Sequence, residues 1–218
     1  KYIKKNMKRQ KNYEKHISKT KVLAIGDIHG DIDLVERLVE RVKKENIDII
    51  ILAGDLTFEE RSVEGLIGPF VKEKKSVLLI PGNHESGATI EFLAQKYNVK
   101  NLHGYGFEKN GIGFFGAGTA NIGIHQIGDE NIFRLLEKSH DEIKNTQKKV
   151  MITHIHPLGS KIDKLLGFQG SKAVRDAIEK FQPDITITAH IHEMGGLQEK
   201  IGKTKVINVS RKEVVFEI

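Results

Sequence analysis

Residues 22–31 read Val-Leu-Ala-Ile-Gly-Asp-Ile-His-Gly-Asp, and the rest of the chain is organised around them. A short apolar run stops at Gly26 and at once sets Asp27 and His29 two residues apart, the pattern of a strand that delivers polar side chains at its carboxyl end. In an α/β sheet that end binds ligands, because the loops converge there and are free to carry polar groups.

Further strands repeat the pattern. Ile47 to Ala53 breaks at Gly54-Asp55, Val77 to Ile80 ends in Pro81-Gly-Asn-His-Glu85, Lys149 to Thr153 ends at His154, and Ile185 to Thr188 precedes His190-Ile-His192. Between them, Leu34, Val35, Leu38, Val39 and Val42 have the spacing of an amphipathic helix from about Asp33 to Lys44. Glu59 to Lys74 has helical spacing interrupted at Gly68-Pro69, and Ser86 or Thr89 caps a helix to about Tyr97. Phe107 to Gly116 reads as a hairpin turning at Lys109-Asn110-Gly111. A helix runs from Asp129 to about Lys144, Leu158 to Gly170 reads as loop, and Ser171 caps a helix to Phe181. A second hairpin turns through Gly202, and Val214 to Ile218 closes the chain as a strand.

The first half, βαβα, predicts a parallel sheet by right-handed crossovers. The second half mixes in hairpins. The expected α/β (α+β) fold is therefore a pair of packed mixed sheets flanked by helices, in one domain over residues 21–218. Residues 1–20 form a basic N-terminal extension: they carry a net charge of +7, and the body carries −1, so the overall +6 belongs to the extension. Strong nucleic-acid affinity is not expected of such a body, although the extension can contribute some. There is no apolar run long enough to span a membrane. The absence of cysteine excludes disulfides and thiolate metal sites and suits a reducing cytoplasm. Nothing in the sequence specifies an oligomeric state.

Aspartate, asparagine and histidine delivered by separate strands suit a pair of divalent transition ions with a carboxylate able to bridge them. In order, Gly26-Asp-Ile-His-Gly30, Gly54-Asp55, Gly82-Asn-His-Glu85, Thr153-His154 and His190-Ile-His192 resemble the blocks of the calcineurin-like metallophosphoesterases, most closely their small single-domain phosphodiesterase-like members. The resemblance implies a four-layer dinuclear fold, with Asp27, His29 and His192 on one ion, Asn83, His154 and His190 on the other, and Asp55 bridging. Manganese, iron and zinc are the usual ions. Two of them would lower the pKa of a water held between them and clamp a phosphoryl group for in-line attack. His84, beside Asn83 and free of the metals, is the candidate general acid.

The second block continues Leu-Thr-Phe-Glu, placing Phe58 and Glu59 where the Ser/Thr protein phosphatases of this family carry an aspartate and an arginine. That argues against phosphoprotein hydrolysis. The expected activity is hydrolysis of a small phosphoester, a phosphodiester ahead of a monoester, with a nuclease and a non-catalytic metal-binding scaffold as the alternatives. His156 and Asn121 are candidates for touching substrate or buttressing a ligand. Glu85 is expected to cap the following helix, and His16, His103 and His140 to be solvated.

Overall fold

The structure is a computed structural model that describes residues 19–218. The basic extension therefore lies outside the described residues apart from Lys19 and Thr20, and so does His16. Thr20 is buried and exchanges backbone hydrogen bonds of 3.1 Å with Ile218 in both directions.

Among the described residues, eleven strands form two sheets. In the first, β1 (Lys21–Ile25), β2 (Ile49–Ala53), β3 (Ser76–Ile80) and the two-residue β4 (Lys100–Asn101) run parallel, and β11 (Val214–Glu217) returns antiparallel to β1. In the second the order is β5 (Gly106–Lys109), β6 (Ile112–Ala117), β7 (Lys148–Thr153), β8 (Ile185–Thr188), β10 (Thr204–Asn208) and β9 (Gln198–Ile201), parallel from β6 to β10 with antiparallel hairpins at both edges.

Among the described residues the helices are α1 (Ile32–Lys44), α2 (Gly68–Lys72), α3 (Gly87–Tyr97), α4 (Asp129–Glu142), α5 (Lys161–Leu166) and α6 (Lys172–Phe181). Strand periodicity sorts the core into layers. On β1, Leu23 and Ile25 face α1, α2 and α3, packing with Val35, Leu38, Phe70 and Leu93. Val22 and Ala24 face the other way and meet Phe114, Val150, Ile187 and Ile207 of the second sheet. Phe115 and Met151 face outward again, under Leu136 of α4 and Val174 of α6. The result is the expected four-layer sandwich, with the carboxyl ends of the parallel strands carrying the polar blocks.

Two segments differ from the sequence reading. Of Glu59 to Lys74 only α2 is helical, because Pro69 stands in its first turn and Glu59, Glu60 and Gly65 take positive φ, which breaks any helix before it. Within the expected loop Leu158 to Gly170, Ser160 accepts from the Asp163 N–H and starts α5, which Gly167 ends at φ 71°.

Two histidines expected in solvent are instead packed. His140 stacks on Phe181 with ring centroids 4.3 Å apart. His103 is largely buried and its Nδ1 accepts from the Gly118 N–H at 3.0 Å, so the ring sits neutral; burial, with Lys138 nearby, lowers its pKa to about 4. The folded state therefore binds fewer protons at His103 than the unfolded chain. The resulting stability is fully present above pH 6.5 and is lost as the pH falls toward 4, about 3 kcal/mol in all. Urea unfolding of wild type and His103→Asn at pH 7 and pH 4.5 is expected to show a pH-dependent loss about 2 kcal/mol smaller in the variant; equal losses would refute the assignment.

Candidate metal centre

The site is assembled from five strand ends, and much of its backbone is held in an uncommon conformation. Asp27, His29, Asp55 and His190 all have positive φ, 56°, 49°, 50° and 72°. For residues with a Cβ this region costs of order 1 kcal/mol or more each, and it persists where surrounding bonds over-determine it. Here they do. Asp27 N–H donates to Gly54 O at 3.0 Å, His29 N–H to Asp55 O at 2.9 Å, and His190 N–H to Asp27 Oδ2 at 3.0 Å. The Arg211 guanidinium clamps the Asp27 and Ile28 carbonyls, each at 3.2 Å.

The blocks also approach one another closely. A Cβ on Gly82 would fall on the Asp55 carboxylate, and a Cβ on Gly26 would overlap the Ala189 methyl. Ala189 therefore fits because Gly26 opposite it has no side chain, and it keeps out of the left-handed region.

The seven side chains expected as ligands converge in two groups, and His29 and Asp55 make a third with His84. His29 Nε2 and His192 Nε2 lie 3.2 Å apart, with Asp27 Oδ1 3.3 Å from His192 and 3.8 Å from His29. His154 Nε2 lies 3.2 Å from Asn83 Oδ1 and 3.3 Å from Asp55 Oδ2, with a His190 nitrogen within 4.8 Å of the Asp55 and His154 atoms. Asp55 Oδ2 is also 3.8 Å from His29 Nε2, which sets it between the groups. All seven residues expected as ligands are thus brought together.

The donor set fits a cation. His29 Nδ1 donates to Thr57 O at 3.1 Å and His154 Nδ1 to Ala53 O at 2.9 Å, which turns the Nε2 lone pair of each ring inward. Those lone pairs face other acceptors, and Asp27 Oδ1 is a buried carboxylate oxygen with no hydrogen-bond partner among the described residues. Lone pairs gathered around a buried, unpartnered carboxylate oxygen require positive charge between them. His/Asp clusters that can bind a metal are therefore present.

The electrostatics follow from the same crowding. Burial opposes the charge of Asp55, yet His154 beside it holds the carboxyl well below its usual range. Asp27 is likewise lowered, its burial outweighed by His192 and His154. Burial also works against charge on His154, but Asp55 and Asp27 raise it to about 10, so without metal a proton occupies the position between these groups. Burial, with His154 close by, pushes His190 down to about 4. Burial lowers His29, with His84 and His192 adding to that effect, and the Asp27 carboxylate raises His192.

His84 stands at the edge. Its N–H donates to Asp55 Oδ1 at 2.9 Å, its Nε2 lies 4.0 Å from Asp55 Oδ2, and its Nδ1 has no partner among the described residues. Among the described residues no carboxylate bonds that Nδ1. Phe58 lies against the His84 ring instead, ring centroids 5.1 Å apart.

Several neighbours are placed differently from the sequence reading. Glu85 does not cap α3; Ser86 does. Fully buried, Glu85 accepts from Thr57 N–H and Oγ1, both at 2.7 Å, and from Gly82 N–H at 3.0 Å, tying together the second and third blocks. Burial, with Asp55 near, raises its pKa. His156 is buried and bonded through Nε2 to Asp163 Oδ1 at 2.9 Å, so it anchors α5. Asn121 is exposed and makes no side-chain hydrogen bond among the described residues. The sequence reading missed Arg211 and Thr57; neither stands in a motif, and only the fold brings them to Asp27 and His29.

Residues 20–194 match the family model of the calcineurin-like phosphoesterases, and the chain belongs to that family. A Thermus thermophilus protein of solved structure is 19% identical at a TM-score of 0.74, covering 92% of this chain and 99% of that one. A dimetal phosphatase from Danio rerio is 14% identical at a TM-score of 0.63, covering 87% of this chain and 86% of that one. A structure described as a novel archaeal phosphodiesterase is 14% identical at a TM-score of 0.53, covering 91% and 100%. At these identities the likeness concerns the fold. No curated protein matches the sequence.

Proposed function

We propose that the protein is a metal-dependent phosphoesterase that hydrolyses small phosphodiesters in preference to monoesters, using two divalent cations. The observation that carries this reading is Asp27 Oδ1, unpartnered among the described residues, beside the inward-turned imidazoles of His29 and His154, with His84 at the edge of the site. Asp27, His29 and His192 would hold one cation, Asn83, His154 and His190 the other, and Asp55 would touch both. When bound, the cations supply Lewis acidity toward phosphoryl oxygens and acidify water.

The chain's own residues do the rest. Thr57 O and Ala53 O fix the tautomers of His29 and His154, and Asp27 Oδ2 holds the His190 backbone. His84 Nε2 donates a proton to the leaving oxygen. The position of Phe58, where phosphoprotein phosphatases have an acid's partner, favours substrates other than phosphoproteins.

Purified protein loaded in turn with manganese, zinc and iron(II) and assayed on bis(4-nitrophenyl) phosphate and 4-nitrophenyl phosphate tests the reading. Turnover is expected on both, faster on the diester and abolished by chelation. Silence on both with every metal would leave a non-catalytic scaffold as the answer.

A further inference from the structure

Nine large apolar side chains are exposed among the described residues, Phe58 after β2 and Ile122 and Ile124 after β6 among them. Apolar residues scattered singly need no explanation, but one packed against the candidate general acid does.

Phe58 has the most definite geometry. It is 44% exposed, with its ring centroid 5.1 Å from that of His84 and 6.0 Å from that of His29. Its loop is pinned. Thr57 is held by Glu85, Glu60 Oε1 accepts from Ser86 N–H at 2.7 Å, and the Arg61 guanidinium lies 5.0 Å from the Phe58 ring centroid. The segment after β6 runs beside this loop. His125 N–H donates to Asn83 O, His125 Nε2 lies 4.0 Å from Glu60 Oε1, and Gly123, between the exposed Ile122 and Ile124, packs on the Asn83 side chain.

We propose that Phe58, lying against His84, lines a leaving-group pocket, and that the alcohol released from the phosphoester is apolar, an alkyl or aryl group. This rests on the reading of His84 as general acid. As the oxygen of a water molecule bonds to phosphorus and the P–O bond to the alcohol breaks, the leaving oxygen keeps the electron pair and takes the proton from His84 Nε2. The carbon attached to that oxygen must continue past the adjoining Phe58 ring. A polar group there would lose water against an aromatic face without a compensating partner, whereas an apolar one gains from burial.

Two substrate pairs isolate the effect, because each varies polarity or apolar length with little change in leaving-group acidity. One is dihexyl and diethyl phosphate; the other is diphenyl phosphate and its bis(3-hydroxymethylphenyl) counterpart. The metal-loaded wild type is expected to prefer the more apolar member of at least one pair by about tenfold or more in kcat/KM. Preference in the first pair identifies an alkyl group and in the second an aryl group. Phe58→Ala, at unchanged metal content, is expected to bring the ratio within about threefold of unity, and Phe58→Leu to restore an alkyl preference in part. Ratios near unity in the wild type, or a wild-type ratio that survives in Phe58→Ala, would overturn the pocket while leaving the phosphoesterase reading intact. A wild type that hydrolyses no phosphoester at all would sink both.

Discussion

Asp55→Asn is expected to fold, to retain less than the wild-type complement of divalent cations, and to lose on the order of a thousandfold or more in kcat/KM on any phosphodiester substrate. The size follows from where Asp55 stands. Its Oδ2 is 3.3 Å from His154 Nε2 and 3.8 Å from His29 Nε2, so it stands between the two groups of ligands, closer to His154 than Asp27 Oδ1, which is 4.0 Å away. Asparagine keeps an oxygen for the His84 N–H and offers an amide N–H to His154 Nε2, so the metal-free fold stays satisfied. What is lost is the negative charge that neutralises cations on either side. The imidazole of His154 also loses the main partner that raises its pKa, and it needs no proton once an amide donates to it. Cation content by mass spectrometry after loading and desalting, alongside unfolding of the chelated proteins, separates loss of metal from loss of fold. A variant with two cations per chain and near wild-type turnover would show that Asp55 does not lie between the sites.

Much of this arrangement was legible in the sequence, for a physical reason. Residues such as Asp27, His29, Asp55 and His190 sit immediately after apolar strands, and the carboxyl ends of parallel strands meet at one edge whatever the rest of the chain does. Period-two alternation puts Leu23 and Val22 into different layers, but both are apolar, so the pair of sheets was expected instead from the hairpins of the second half. The residues that hold the ligands were less visible. Thr57 acts through its carbonyl and Ala53 through its own, and a main-chain acceptor leaves no mark on residue type. Arg211 reaches Asp27 from 184 positions away, past the end of the family-matched segment, in a stretch that reads only as charged surface. Glu85 was visible but ambiguous, since an acid before a helix suits a cap, and only its complete burial against Thr57 and Gly82 assigns it to the site.

His84→Gln is expected to divide substrates by their leaving groups. On diesters of alkyl alcohols the loss in kcat should be about a hundredfold to ten-thousandfold, the range of a positioned general acid, and on bis(4-nitrophenyl) phosphate less than about tenfold. The difference arises because an alkoxide must be protonated as it departs, whereas a nitrophenolate leaves without help. The geometry lets this be read cleanly. The contact of His84 with Asp55 Oδ1 is made by its backbone N–H at 2.9 Å, so the substitution keeps that bond and the carboxylate stays in place. Its imidazole has one nitrogen toward Asp55 Oδ2 and the other without a partner among the described residues, so removing the ring releases no buried hydrogen bond. Cation content should match the wild type, which distinguishes an acid from a third ligand of the His29–Asp55–His84 cluster. Equal losses on alkyl and nitrophenyl diesters, with a cation missing, would make His84 a ligand and leave the departing oxygen to be protonated by water.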